Sequence, residues 1–101
     1  MKLLLITAVK SHQKQVAQLF KKSGILAFSN TDINGFKALD QEDLIDNWFS
    51  GSSQNVKSIL FFTFSEEENI NLLLKELELI NSNIESENPI RAIVLNIEKF
   101  Q

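Results

Sequence analysis

Cysteine and tyrosine are missing from the 101 residues, and histidine, proline and tryptophan occur once each. Without cysteine there are no disulfides, thiolate zinc sites or cysteine nucleophiles, which suits a reducing cytoplasm. There is no glycine-rich phosphate loop, no nucleophile motif and no cluster of metal ligands at a recognised spacing, so the expectation is a protein that is not an enzyme. There is no basic stripe either. Ten Lys and Arg stand against 13 Asp and Glu, a formal net charge of −3, and nucleic acid is not expected as a partner. The apolar LLLI run near the start breaks at Thr7, Lys10 and His12, too soon for a secretory core or a membrane span. A cytoplasmic protein with no direct membrane insertion follows as the expectation.

What remains is an ordinary globular composition, 44% hydrophobic and 23% charged, in a chain sized for a single domain spanning 1–101. Residues 2–9 form a short apolar run that reads as a buried strand. Ser11 is placed as an N-cap for a helix in which Val16, Leu19, Phe20 and Ser23 share one face. Lys21 and Lys22 suit its C-terminal dipole, and Gly24 is placed to end it in a left-handed conformation. Residues 25–37, ILAFSNTDINGFK, are extended; a long strand is preferred, and a tight hairpin at Asn34-Gly35 is the rival. Residues 56–65 carry apolar side chains in both alternating sets, as in a strand buried on both sides. Ser65 then caps a helix to about residue 82 with Glu66, Glu67 and Glu68 in its first turn. Its apolar stripe is Ile70, Leu73, Leu74, Leu77 and Ile80 or Asn81, widened by Leu72 and Leu79. Residues 90–100 are the last strand.

This order gives an α+β, ferredoxin-like βαββαβ fold, with a four-stranded antiparallel sheet and two helices on one face. Two helices cover only one face, yet the third strand is apolar on both. A second subunit is the simplest cover for the other face, with Phe28, Phe61 or Phe62, and Phe64 as candidates for the contact.

Residues 39–55, LDQEDLIDNWFSGSSQN, fit none of these elements. They carry Asp40, Glu42, Asp43 and Asp46 with no Lys or Arg, then Trp48 and Phe49. A connection of this length in a small domain is unusual and often functional. Trp48 and Phe49 read as a docking anchor or as a staple that folds back. The four acids read as solvated charges, as a match for a basic partner surface, or as hard-cation ligands, although their spacing is not that of an EF-hand loop. His12 reads as structural or incidental.

Taken together, VAQLFKKSGI, TDINGFK, VKSILFFTFSEEENINLLLKEL and IRAIVLNIEKF resemble, over nearly the whole chain, the PII-type signal-transduction superfamily, which includes the CutA-type ion-tolerance proteins. The resemblance implies a homotrimer in which 39–55 is the T-loop that docks on a protein partner, such as a membrane transporter or efflux system. It also implies a ligand cleft between subunits. By position Gly35 and Phe36 match the T-loop base, Lys37 joins them as a candidate for the cleft, and Arg91 matches a basic B-loop residue that contacts phosphate; pairing of Arg91 with Glu85 or Glu87 is the alternative. Where nucleotide-binding members are glycine-rich, this chain has ESENPIR, with a proline that lacks an N–H and two carboxylates. That argues against ATP or ADP as the ligand, and without tyrosine no tyrosine-modification switch can operate. The reading is therefore a non-enzymatic PII-like trimeric regulator controlled by a small ligand. The alternative is a CutA-like divalent-cation-binding protein.

Overall fold

The computed structural model describes residues 1–36, 55–83 and 88–101. β1 (Lys2–Val9) leads through a 3-10 turn (Lys10–His12) into α1 (Gln13–Lys22). β2 (Ser29–Phe36), β3 (Asn55–Ser65), α2 (Glu67–Asn83) and β4 (Arg91–Asn96) follow. The strands form one antiparallel sheet in the order β2-β3-β1-β4, and both helices pack on the same face. This is the expected βαββαβ arrangement.

Strand alternation assigns each side chain to a face. Leu4, Ile6 and Ala8 of β1 lie opposite Thr63, Phe61 and Ile59 of β3, and all six are buried beneath the helices. α1 contributes Val16, Leu19 and Phe20 to this layer, and α2 contributes Ile70, Leu73 and Leu77. Phe20 stacks on Phe28 with ring centroids 4.4 Å apart, and Phe61 tilts against both at 5.7 and 5.8 Å. Phe28 and Phe61 therefore belong to the core of one chain. Of the four phenylalanines considered for a subunit contact, Phe62 and Phe64 are the two on the other face.

The ends of α1 show how local chemistry sets its limits. Ser11 does not cap it. The chain tightens into the 3-10 turn, the Gln13 amide bonds to the Lys10 carbonyl, and His12 takes the cap position without a side-chain bond. At the far end Gly24 adopts φ +78°, Ile25 donates to Phe20 O at 2.9 Å and Gly24 donates to Lys21 O at 3.1 Å. These paired bonds and the left-handed residue satisfy carbonyls that the helix leaves open.

Three further boundaries differ from the sequence reading. β2 passes through Asn34-Gly35 without turning, paired to Lys57 and Val56, but it starts at Ser29 rather than near residue 25. Thr63 Oγ1 donates to Ala27 O at 2.6 Å, so a side chain takes a carbonyl that a longer strand would have offered to the ladder. Ser65 ends β3 instead of capping α2, whose first backbone bond runs from Ile70 to Glu66 O. β4 stops at Asn96 because its partner there is Lys2, at the start of β1. Leu72 and Leu79, expected to widen the buried stripe of α2, are 54% and 59% exposed. They sit off the line of Ile70, Leu73 and Leu77, rotated toward solvent.

Candidate functional site

Two regions stand out beyond the core: the tip of the β2–β3 ribbon and the sheet face that no helix covers. β1 ends in register with Ser58, so Lys57, Val56 and Asn55 of β3 have only β2 beside them. Three residues of ribbon reach roughly 10 Å past the sheet at a strand's rise per residue. Phe36 and Asn55 are paired at its tip, so the 37–54 segment leaves and returns at adjacent positions. Lys37, Asp40, Glu42, Asp43, Asp46, Trp48 and Phe49 lie outside the described residues, as do Glu85 and Glu87. The backbone of Phe36 is described, and Gly35 is buried in the ribbon opposite Val56.

Gly35 and Arg91 are not brought together within the chain. Gly35 is on the edge strand β2 and Arg91 on the opposite edge strand β4, with β3 and β1 between them. Three interstrand spacings put them at least about 14 Å apart.

Arg91 is held by a device absent from the sequence reading. The side-chain amide of Asn81, near the end of α2, donates to Ile90 O at 2.9 Å and accepts from Ile90 N at 2.9 Å. This two-way clamp fixes the chain one residue before Arg91 and satisfies both polar groups of a buried backbone unit. The sequence signal is slight: an asparagine at the end of an apolar stripe where Ile80 is an equal candidate. Arg91 is opposite Thr7 in the β1–β4 register.

The uncovered face is apolar along most of its length. Leu3 and Leu5 of β1, Leu60, Phe62 and Phe64 of β3, and Ile93 and Leu95 of β4 share it by register. Phe64 is 54% exposed and Leu95 44%. A contiguous apolar surface on one side of a sheet marks an interaction face more often than isolated exposed leucines do. A cavity of about 300 Å³ at its β2 edge is lined by Ala27, Phe28, Ser29, Phe62, Thr63 and Phe64.

Surface ion pairs tie the helical layer together without forming a chemical site. Lys22 meets Glu76 at 3.1 Å between the helices, Lys2 meets Glu67 at 3.6 Å, and Lys10 pairs with Asp32. Among the described residues no group of three or more His, Cys, Asp and Glu side chains is placed to hold a metal ion. No helix among them is long and apolar enough to cross a membrane.

Comparison with solved structures places this architecture. A PII-like signaling protein from Thermus thermophilus superposes with a TM-score of 0.63 at 19% identity, covering 95% of this chain and 85% of its own. The chain has the PII-like fold. CPII, a nitrogen regulatory PII-like protein from Thiomonas intermedia whose structure holds ADP, AMP and bicarbonate, gives a TM-score of 0.60 at 15% identity, covering 97% and 94%. No family model matches the sequence, and no curated protein does.

Proposed function

We propose that this chain is a non-enzymatic, PII-like regulator that assembles as a homotrimer in the cytoplasm. Its 39–55 loop would dock on a protein partner, such as a membrane transporter or efflux system, under control of a small ligand. The observation that carries this reading is the apolar sheet face opposite the helices, because a single chain leaves Phe64, Leu95 and Ile93 in water. Burying such a face between copies of the chain removes that cost. The separation of Gly35 and Arg91 on opposite edges supports the same reading. A cleft that uses both needs two chains, each contributing one edge. The ribbon supports the docking role, since it carries both ends of the loop beyond the sheet.

In this scheme Asp40, Glu42, Asp43, Asp46, Trp48 and Phe49 meet the partner, with the aromatics as anchor and the acids facing basic residues. Gly35, Phe36, Lys37 and Arg91 line the cleft, so a bound ligand touches both the loop base and a neighbouring copy. The ligand biases the loop between free and docked arrangements through its different affinity for the two.

Light scattering on the purified chain tests the assembly, with a mass of three chains expected. Affinity capture from membranes of the source cells tests docking: a transporter subunit is retained by the native chain and lost with Trp48→Ala and Phe49→Ala together. A single-chain mass, or capture indifferent to both aromatics, would overturn this function.

A further inference from the structure

The uncovered face is not apolar throughout. Thr7 and Arg91 are opposite each other on adjacent strands, so both project from the side away from the helices. Thr7 is only 4% exposed, and its Oγ1 is enclosed without a hydrogen-bond partner among the described residues. The Nε of Arg91 is likewise enclosed and has no partner among the described residues. Among the described residues no carboxylate forms an ion pair with Arg91. A buried hydroxyl left without a partner is costly, and a charged donor more so. Of the enclosed side-chain atoms without a partner among the described residues, these two are the pair that the strand register places side by side.

Their surroundings restrict what would satisfy them. The same-face neighbours Leu5, Val9, Leu60 and Ile93 offer apolar walls, and the buried Ser58, opposite Val9, is on the β3 side of Thr7, away from Arg91. The hydroxyl has one hydrogen to give and Nε–H another, from adjacent positions on one surface. A cation in apolar surroundings favours an anionic acceptor, and charge-assisted bonds are the stronger kind. A carboxylate presents two oxygens in one plane, one for each donor. A phosphate dianion brings a third oxygen that the apolar walls leave unmet. Arg91 is the first residue of an edge strand, so the pair lies where the face meets the rim of the sheet. Asn81 fixes that start through Ile90.

We propose that Thr7 and Arg91 form a binding site for the carboxylate of a small molecule, with Thr7 Oγ–H and Arg91 Nε–H each donating to one oxygen. The site rests on the ligand-controlled reading only in sharing Arg91. It names the class of ligand and adds Thr7, which neither composition nor motif singles out.

Acetate is the probe, titrated by calorimetry against the full chain at constant ionic strength, with inorganic phosphate in parallel and no protein partner present. Acetate is expected to bind more tightly than phosphate. Thr7→Val keeps the shape and removes the donor; it should weaken acetate binding by about tenfold, the worth of one such hydrogen bond. Arg91→Gln should abolish it. The ligand-free stability of the Thr7→Val chain supplies a second reading. Removing an unsatisfied hydroxyl should leave the unfolding midpoint unchanged or raise it.

Equal acetate affinity in Thr7→Val and the native chain would overturn the site. So would a lowered midpoint in ligand-free Thr7→Val, since the hydroxyl would then have a partner inside the fold. Absent acetate binding, with assembly mass changed by Arg91→Gln, would assign the acceptor to a neighbouring copy and also refute a small-molecule site. None of these results depends on Trp48, Phe49 or capture of a partner, so failure here is distinct from failure of the docking role.

Discussion

The two faces of one sheet are built from the same strands and differ in a single respect, which residues the alternation sends to each side. Beneath the helices, Leu4, Ile6, Ile59 and Phe61 are fully buried within one chain. On the other side, Leu5, Phe62, Phe64 and Leu95 are as apolar by type, yet Phe64 and Leu95 are largely exposed. The first face needs only its own helices to be stable. The second has an apolar surface in search of a cover. Fold and the proposed assembly thus fall on alternate residues, and a substitution's face decides which of the two it tests.

The largest effect is expected on the covered face. Phe61 is fully buried and touches Phe20 and Phe28 in the aromatic cluster. Phe61→Ala should cost about 3–5 kcal/mol, measured as a lower denaturant midpoint. If the loss were below about 1 kcal/mol, the cluster would not be the centre of the core. Phe64→Glu tests the open face. Its side chain is already half in water, so secondary structure should persist while the assembled mass falls to that of one chain. An unchanged mass would remove this face from the interface and break the comparison.

Asn81→Ala falls between these cases, because it acts on a boundary between layers. It strips Ile90 N and O of both side-chain partners while leaving the helix stripe intact. A loss of about 1–3 kcal/mol is expected, the usual range for buried backbone groups left unsatisfied. Hydrogen exchange at the Ile90 and Arg91 amides should quicken first, ahead of the β1 centre. Uniform exchange changes across the sheet would show that the clamp supports the whole fold rather than the start of β4.

Much of the architecture was legible because its signals are local. Apolar alternation located β1 and β3, helical spacing located Val16, Leu19 and Phe20, and the order of elements specified the sheet plan. The double-sided apolar pattern of β3 also pointed to an uncovered face. Less visible were features created by contacts between distant residues. Thr63 reaches Ala27 and so sets where β2 begins, and Asn81 grips Ile90 across the end of a helix. Thr7 looked like a polar break after an apolar run, and only the register with Arg91 gives it a neighbour. Phe28 shows the same limit in reverse, since its stacking on Phe20 depends on a helix placement that spacing alone does not supply. Of the candidate site, the sequence named Gly35 and Arg91 but not their separation, which follows from strand order.

The smallest expected effect concerns Gly24, and it separates conformational strain from packing. A Cβ there would come no closer than 3.9 Å to Asn69 Oδ1, so space is available. The cost of Gly24→Ala therefore comes from holding an L-residue at φ +78°, on the order of 1 kcal/mol. Because the strain is confined to the exit of α1 on the helical side, the assembled mass should not change. Gly24→Asn should recover part of the loss, since asparagine tolerates the left-handed region better than alanine does. If alanine cost several kcal/mol and asparagine no less, steric crowding would be the cause, and Gly24 would count with the packed face. A loss confined to alanine instead places it with the turns, whose geometry either face can share.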